Sequence, residues 1–242
     1  MSKVTTLKIT RDNKEKVNGF RDALFNQAQR FLNECLPNKI KYLDSILKGE
    51  LFNVQDLTTL HAELNIPIPE APTPDSGDSS PMEMDKEEKK APRCGFLKEN
   101  EKLHKIFGIV QPEIRSLREG CALIIAWLHY LIPKIEDGND FGVSVQEKVL
   151  ERVNAIKTKV ETSQTNIIKY FTERGDAVAK ASKETHVMDY RALVHEKDEA
   201  AFVELRLILL EVRGFYVELF DIILKNFEKI VNPKGEEKNP MY

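Results

Sequence analysis

The chain is short of the residues on which small secreted, nucleotide-binding and membrane proteins depend. Its 242 residues include three cysteines, Cys35, Cys94 and Cys121. They are odd in number, widely spaced and lack a Cys-x-x-Cys pair, which leaves neither a disulfide framework nor a zinc knuckle. The expectation is reduced thiols in an intracellular protein. Eleven glycines are few for an all-β protein or a phosphate-loop enzyme, both of which need glycine in their turns. The longest apolar run, Ala122 to Leu128, stops at His129, well short of the about 20 residues that cross a bilayer. The amino-terminal Met-Ser-Lys-Val-Thr-Thr-Leu-Lys has no apolar signal core. A surplus of one charge is also missing. Lys and Arg number 36 against 39 Asp and Glu, so the chain lacks the cationic excess that a general nucleic-acid binder uses to neutralise phosphates. Neither nucleic acid nor membrane is an expected partner.

Reactive groups are sparse as well. There is no phosphate-binding loop, no Gly-x-Ser-x-Gly elbow and no His-Glu-x-x-His. His61, His104, His129, His186 and His195 are scattered. Glu101-Lys-Leu-His104 is one Glu-x-x-His pair, whereas a di-iron site in a helical bundle needs two. It reads as solvated surface. No catalytic residue, metal ligand or cofactor is expected. Trp127 follows Ile124, Ile125 and Ala126 and reads as core, where its N–H needs a partner.

What the sequence does have is helical periodicity. Hydrophobic residues make up 41% of the chain, enough to bury a sizeable core. One stripe runs Val17, Phe20, Leu24, Ala28, Phe31, Cys35 and resumes after Pro37 with Ile40, Leu43 and Leu47. Asp12 and Glu15 form a candidate capping box at its start, and Pro37 predicts a kink rather than an end. A second stripe runs Leu103, Ile106, Val110, Ile114, Leu117, Cys121, Ile125, Leu128. A third runs Val145, Val149, Val153, Ile156, Val160, Ile167, Phe171.

The fourth stripe is the longest. Ala201, Leu205, Ile208, Val212, Phe215, Leu219 and Ile222 form one face; Phe202, Leu209, Tyr216, Ile223 and Ile230 form a second row at a seven-residue step. A helix from Asp189 to Val231 would be roughly 60 Å long. The second row predicts a further surface to bury against, most simply a neighbouring subunit, with a wide core face in a monomer as the other reading. The fold class is all-α: an elongated four-helix bundle, suited to side-by-side assembly. It divides into a first helical region (1–64), a proline- and charge-rich insert (65–93), the remaining three helices (94–231) and a tail (232–242). The insert carries Pro67, Pro69, Pro72, Pro74, Pro81 and Pro92, which predicts a flexible segment.

Two segments stand apart from this packing pattern. Ile132-Pro-Lys-Ile-Glu-Asp-Gly-Asn-Asp-Phe-Gly-Val-Ser144 joins the second and third stripes. Pro133 stops one helix, and Ser144 with Glu147 is a capping box for the next. Gly138, Asn139 and Gly142 can all take positive φ, as a sharply folded loop requires. A helix–helix turn and a contact loop fit these residues equally well. The tail leaves the last helix at Pro233 and stays polar until Met241-Tyr242. Disorder is the ordinary reading; capture of an apolar end and its free carboxylate by a pocket is the other.

At these segments a resemblance enters. The chain resembles beta-type subunits of the 11S, ATP-independent proteasome activators along essentially its whole length. The likeness is strongest in Leu131-Ile-Pro-Lys-Ile-Glu-Asp-Gly-Asn-Asp-Phe-Gly-Val143, Tyr170-Phe-Thr-Glu-Arg-Gly-Asp-Ala-Val178, His186-Val-Met-Asp-Tyr-Arg-Ala-Leu-Val-His195 and Val231-Asn-Pro-Lys-Gly-Glu-Glu-Lys238. Alpha-type subunits carry a long Lys/Glu insert where this chain has a short proline-rich one. The resemblance implies a ring of seven four-helix subunits, mixed alpha and beta or self-associated, on the end of the 20S core particle. It implies an activation loop made of Glu136, Asp137, Gly138, Asn139, Asp140, Phe141, Gly142 and Val143, with Asn139 at its critical position. It assigns Pro240, Met241 and Tyr242 to a tail that docks between the core's α-subunits. The implied function is non-catalytic stimulation of peptide hydrolysis, antigen-peptide generation included, in the cytoplasm and nucleus. A helical oligomeric scaffold without gating activity is the alternative.

Overall fold

The computed structural model describes residues 8–69, 95–134, 138 and 140–235. Their long elements are all helical: α1 (Arg11–Arg30), α2 (Leu36–Lys48), α3 (Glu101–Leu131), α4 (Phe141–Lys183) and α5 (Met188–Val231). No strand occurs among the described residues. No described helix is long and apolar enough to cross a membrane.

α1 and α2 are one helical path joined by a π turn, Phe31–Cys35, in which the Leu36 N–H reaches the Phe31 carbonyl. The π turn falls immediately before Pro37 and leaves that proline in the first turn of α2, where a missing N–H costs no helical hydrogen bond. The start of α1 departs from the expected capping box. Thr10 is the cap, its hydroxyl accepting from the Asn13 N–H at 3.4 Å. Asp12 therefore lies inside the first turn, where its charge suits the positive end of the helix dipole, and Glu15 pairs with Arg11 at 2.8 Å. The apolar stripe also engages later than expected. Val17 and Phe20 are 54% and 59% exposed, and burial begins at Leu24.

The residues cluster into two compact units. One comprises the chain up to Asn53 together with Ile109–Thr165 and the segment from Arg206 onward; the other comprises Val54–Gly108 and Asn166–Leu205. In the first unit every helix contributes to the core. Leu24, Ala28, Leu36 and Leu43, Ile114, Leu117 and Ile124 of α3, Val153 and Ile156 of α4, and Leu209, Tyr216 and Ile223 of α5 are all buried. Burial pushes the Cys121 thiol up to about 12, so it behaves as a small apolar side chain. Lys39 reaches both oxygens of the buried Glu113 carboxylate at 2.8 and 2.7 Å.

The second row on α5 does not face outward. Phe202, Leu209, Tyr216, Ile223 and Ile230 are between 0% and 2% exposed. The wide-core reading is the correct one for this row, because α5 is flanked by helices on more than one side.

The second unit adds a connecting segment to parts of α3, α4 and α5. A 3₁₀ turn, Leu57–Leu60, is capped by Asp56, whose carboxylate accepts from the Thr58 N–H at 3.0 Å. Ile66, at the head of the proline-rich stretch, is buried with Ala177, Ala181 and Val194. Arg191 donates to the Ile66 carbonyl at 2.8 Å and to the Pro67 carbonyl at 3.1 Å. Residues 70–94, which take in most of the insert together with Cys94, lie outside the described residues.

At the centre of this unit Asp198 is completely buried. It accepts from Arg174 Nε at 2.7 Å, Tyr170 Oη at 2.8 Å and Asn100 Nδ2 at 2.8 Å. Asn100 also caps α3, its Oδ1 accepting from the N–H groups of Lys102 and Leu103. Burial, and then the Asp198 carboxylate, hold the Tyr170 phenol above its ordinary range.

Nearby, His195 stacks on His61 with ring centroids 4.2 Å apart. Desolvation, and then His61, lower the His195 pKa. Its folded pKa thus lies below the unfolded value of about 6.5. The resulting stability is whole above that unfolded value and is lost as pH falls through the folded one. Urea titrations from about pH 7.5 down to pH 5 are expected to show this loss, and His195→Phe to reduce it. An unchanged pH profile would remove the histidine from the account.

Candidate functional site

Both segments set apart by the sequence belong to the first unit. α3 ends at Leu131, and Pro133 follows. Glu136, Asp137 and Asn139 lie outside the described residues. Gly138 has φ 144°, a backbone region that favours glycine. α4 then begins at Phe141, with the Ser144 N–H on the Asp140 carbonyl at 2.9 Å. The expected start at Ser144 is thus three residues late. Asp140 stands just before the first helical residue, and aspartate suits that position as well as serine does. Phe141 is 68% exposed, while Val143 is half-buried.

Gly142 has a different role from the one its freedom suggested. Its φ is not positive; Gly138 and Gly235 alone have that property among the described residues. Gly142 is buried against the backbone of Pro233. A Cβ on Gly142 would lie 2.5 Å from the Pro233 Cα, so only glycine admits this approach. Pro233 is itself buried. α5 ends at Val231, the Gly235 N–H bonds the Asn232 carbonyl at 3.2 Å, and Gly235 turns the chain with φ 72°. Pro240, Met241 and Tyr242 lie outside the described residues.

One turn further along α4 from Gly142, Gln146 is completely buried. Its Nε2 donates to the Leu131 carbonyl at 3.0 Å and to the Ile230 carbonyl at 2.7 Å. Both acceptors belong to last-turn residues, whose carbonyls have no partner within their own helices. The ends of α3 and α5 and the beginning of α4 therefore meet at one side chain. Neither Gln146 nor the Gly142–Pro233 contact was expected from sequence. The available signal was a polar residue on the apolar face of α4, one turn before Leu150.

A hollow of about 350 Å³ opens beside Leu131, lined in part by Arg21, Phe25, Trp127 and Tyr130. Trp127 is core, but its buried indole N–H has no hydrogen-bond partner, contrary to expectation. Its ring instead meets Phe25 edge-on, with centroids 6.4 Å apart. The Glu101/His104 pair is exposed, His104 facing Glu99 at 3.2 Å.

A second surface lies on α5. Val217, Leu224 and Val231 follow one another at seven-residue steps and are 48%, 63% and 40% exposed, with Leu207 and Phe227 exposed beside them. The row with an unpartnered face is thus one position along from the row expected.

The helical fold is shared with solved chains. The fold matches the 11S subunit of the Plasmodium falciparum proteasome, PA28, with TM-score 0.78 and 23% identity, over 96% of this chain and 100% of that one. It matches more distantly a chain of an archaeal 20S proteasome in complex with a mutated P26 activator, with TM-score 0.58 and 12% identity, over 96% of this chain and 100% of that one. In sequence, residues 11–71 match the family described as proteasome activator PA28, N-terminal, and residues 96–240 match proteasome activator PA28, C-terminal. Proteasome activator complex subunit 2 of Sus scrofa is 59% identical and that of Homo sapiens 58% identical, each over the full length of both chains. Human proteasome activator complex subunit 3 is 35% identical over 98% of each chain. The chain belongs to the PA28 family of proteasome activators, and its similarity is greater to subunit 2 than to subunit 3.

Proposed function

We propose that this chain is a non-catalytic ring subunit that docks on the 20S proteasome by its C-terminal tail and opens the gate with the loop from Glu136 to Val143. The observation that carries this reading is the junction of Gly142 with Pro233: the returning end of the loop touches the root of the tail. A ligand that pulled on the tail would bring the loop to the same place on the core.

Docking and opening are separate tasks. The Tyr242 carboxylate pairs with a lysine between core α-subunits. A single such contact is weak, but several tails on one ring raise effective concentration, and avidity exceeds a single affinity by about 10²–10⁴. Opening requires the loop to bind the open gate better than the closed one, because a ligand indifferent to both states shifts nothing. The subunit itself hydrolyses nothing. Its ring partner is an alpha-type subunit or a second copy of this chain, seated on the exposed apolar row of α5.

The direct test is hydrolysis of a fluorogenic peptide by the 20S core, with and without this chain, alone and mixed with an alpha-type partner. Stimulation is expected, and a rate equal to that of the core alone in both mixtures removes the reading. Deleting Met241 and Tyr242 is expected to weaken co-sedimentation with the core, most clearly at low salt, where the Debye length exceeds about 10 Å. Unchanged co-sedimentation counts against the tail.

A further inference from the structure

We infer that Gln146 is a positioning residue that holds the gating loop in register with the docking tail. The inference rests on the functional reading above and extends it to a side chain outside both the loop and the tail.

One carboxamide spans three helix ends. Its two N–H bonds go to Leu131 and Ile230 at 3.0 and 2.7 Å, and its backbone belongs to the start of α4. Leu131 is the last residue of α3, after which the loop departs. Phe141 is the first residue of α4, where the loop returns. Ile230 is three residues before Pro233, where the tail departs. Both boundaries of the loop and the root of the tail are thereby tied to one atom.

The chemistry admits a narrow choice here. Two carbonyl oxygens converge on the same nitrogen, so the group must carry two hydrogens and no lone pair toward them. That fixes the amide orientation, since the flipped amide would set oxygen against oxygen. Glutamate of the same length would present an acceptor to two acceptors. A hydrophobic side chain would leave two buried carbonyls without partners. Oε1 has no hydrogen-bond partner, so the side chain is held through its nitrogen alone.

Gly142 lies one turn away on the same face and closes the arrangement by its contact with the Pro233 backbone. Gln146 sets the distance between the helix ends; Gly142 lets the loop return and the tail root touch. A tail held by the core then fixes where the loop stands. Without that register the tails would still grip, but the loops would be presented in a spread of positions, few of them able to stabilise the open gate.

The test uses full-length chain, assembled with an alpha-type partner, on the 20S core. Docking is read by co-sedimentation and opening by fluorogenic-peptide hydrolysis at saturating activator. Gln146→Met keeps the bulk and loses both donors. It is expected to lower maximal stimulation roughly ten-fold or more, since one lost hydrogen bond already carries about that factor, while co-sedimentation is expected to stay unchanged. Gln146→Glu is expected to do the same or worse. Gly142→Ala, which parts the junction with Gln146 intact, is expected to show the same split. Ile124→Val, a core trim in the same unit, controls for loss of stability and is expected to leave maximal stimulation unchanged. If the Gln146 variants lose docking and stimulation in parallel, or lose neither while the unaltered chain stimulates, the register role is overturned. If the unaltered chain itself fails to stimulate, the functional reading falls instead.

Discussion

Replacing Asp198 with alanine is expected to destabilise the chain by about 3–5 kcal/mol, the range for breaking a buried ion pair by removing one partner. Asp198 is 0% exposed, and Arg174 is 9% exposed. With the carboxylate gone, the guanidinium loses its acceptor at 2.7 Å while it stays out of water. Tyr170 and Asn100 lose their acceptor at the same time. Asn100 would keep its bond to the Leu60 carbonyl at 2.7 Å, so the connecting segment would not be released outright. Urea unfolding at a fixed protomer concentration measures the loss, because assembly itself shifts apparent stability. Arg174→Met paired with Asp198→Leu is expected to recover much of it, since replacing both charges removes the uncompensated one. A single-variant loss below about 1 kcal/mol would mean that water reaches the site and solvates the remaining charge.

The second large effect falls on gating. Asn139→Tyr is expected to abolish stimulated peptide cleavage while co-sedimentation with the core stays intact. Moving a two-state gate from mostly closed to mostly open takes a preference of about 5.5 kcal/mol. On the proposed reading that preference comes from contacts the loop makes with one gate state only, so a bulky side chain at its centre is expected to remove it at little cost to docking. Cleavage that continues undiminished with Asn139→Tyr would move the opening function away from this loop.

The helices were legible because their period was long and regular. The stripe from Leu103 to Leu128 predicts a buried face, and Leu103, Ile106, Val110, Ile114, Leu117, Cys121 and Leu128 are buried. Failures occurred where a second, non-local constraint decided the outcome. The row from Phe202 to Ile230 looked like surplus apolar surface because a sequence does not show how many neighbours a helix has. Capping at Asp12 and Ser144 was displaced because Thr10 and Asp140 offered earlier starts, and local chemistry ranks these residues almost equally. The buried Asp198 cluster combines Tyr170 and Arg174 with a carboxylate 24 residues beyond that arginine, a separation with no local signature. Gln146 was invisible for the same reason: its partners are the carbonyls of Leu131 and Ile230, which have no side-chain code at all.

The anchorage of Ile66 and Leu97 has its own consequence. Ile66 lies in a buried cluster in the second unit, and Leu97 packs against that same cluster. The described residues on either side of residues 70–94 are therefore anchored at one cluster. For such a closed excursion, doubling its length adds only about 0.6 kcal/mol of closure entropy. With both anchors held at one cluster, lengthening the chain between them with an affinity handle is expected to add little closure cost to the scaffold.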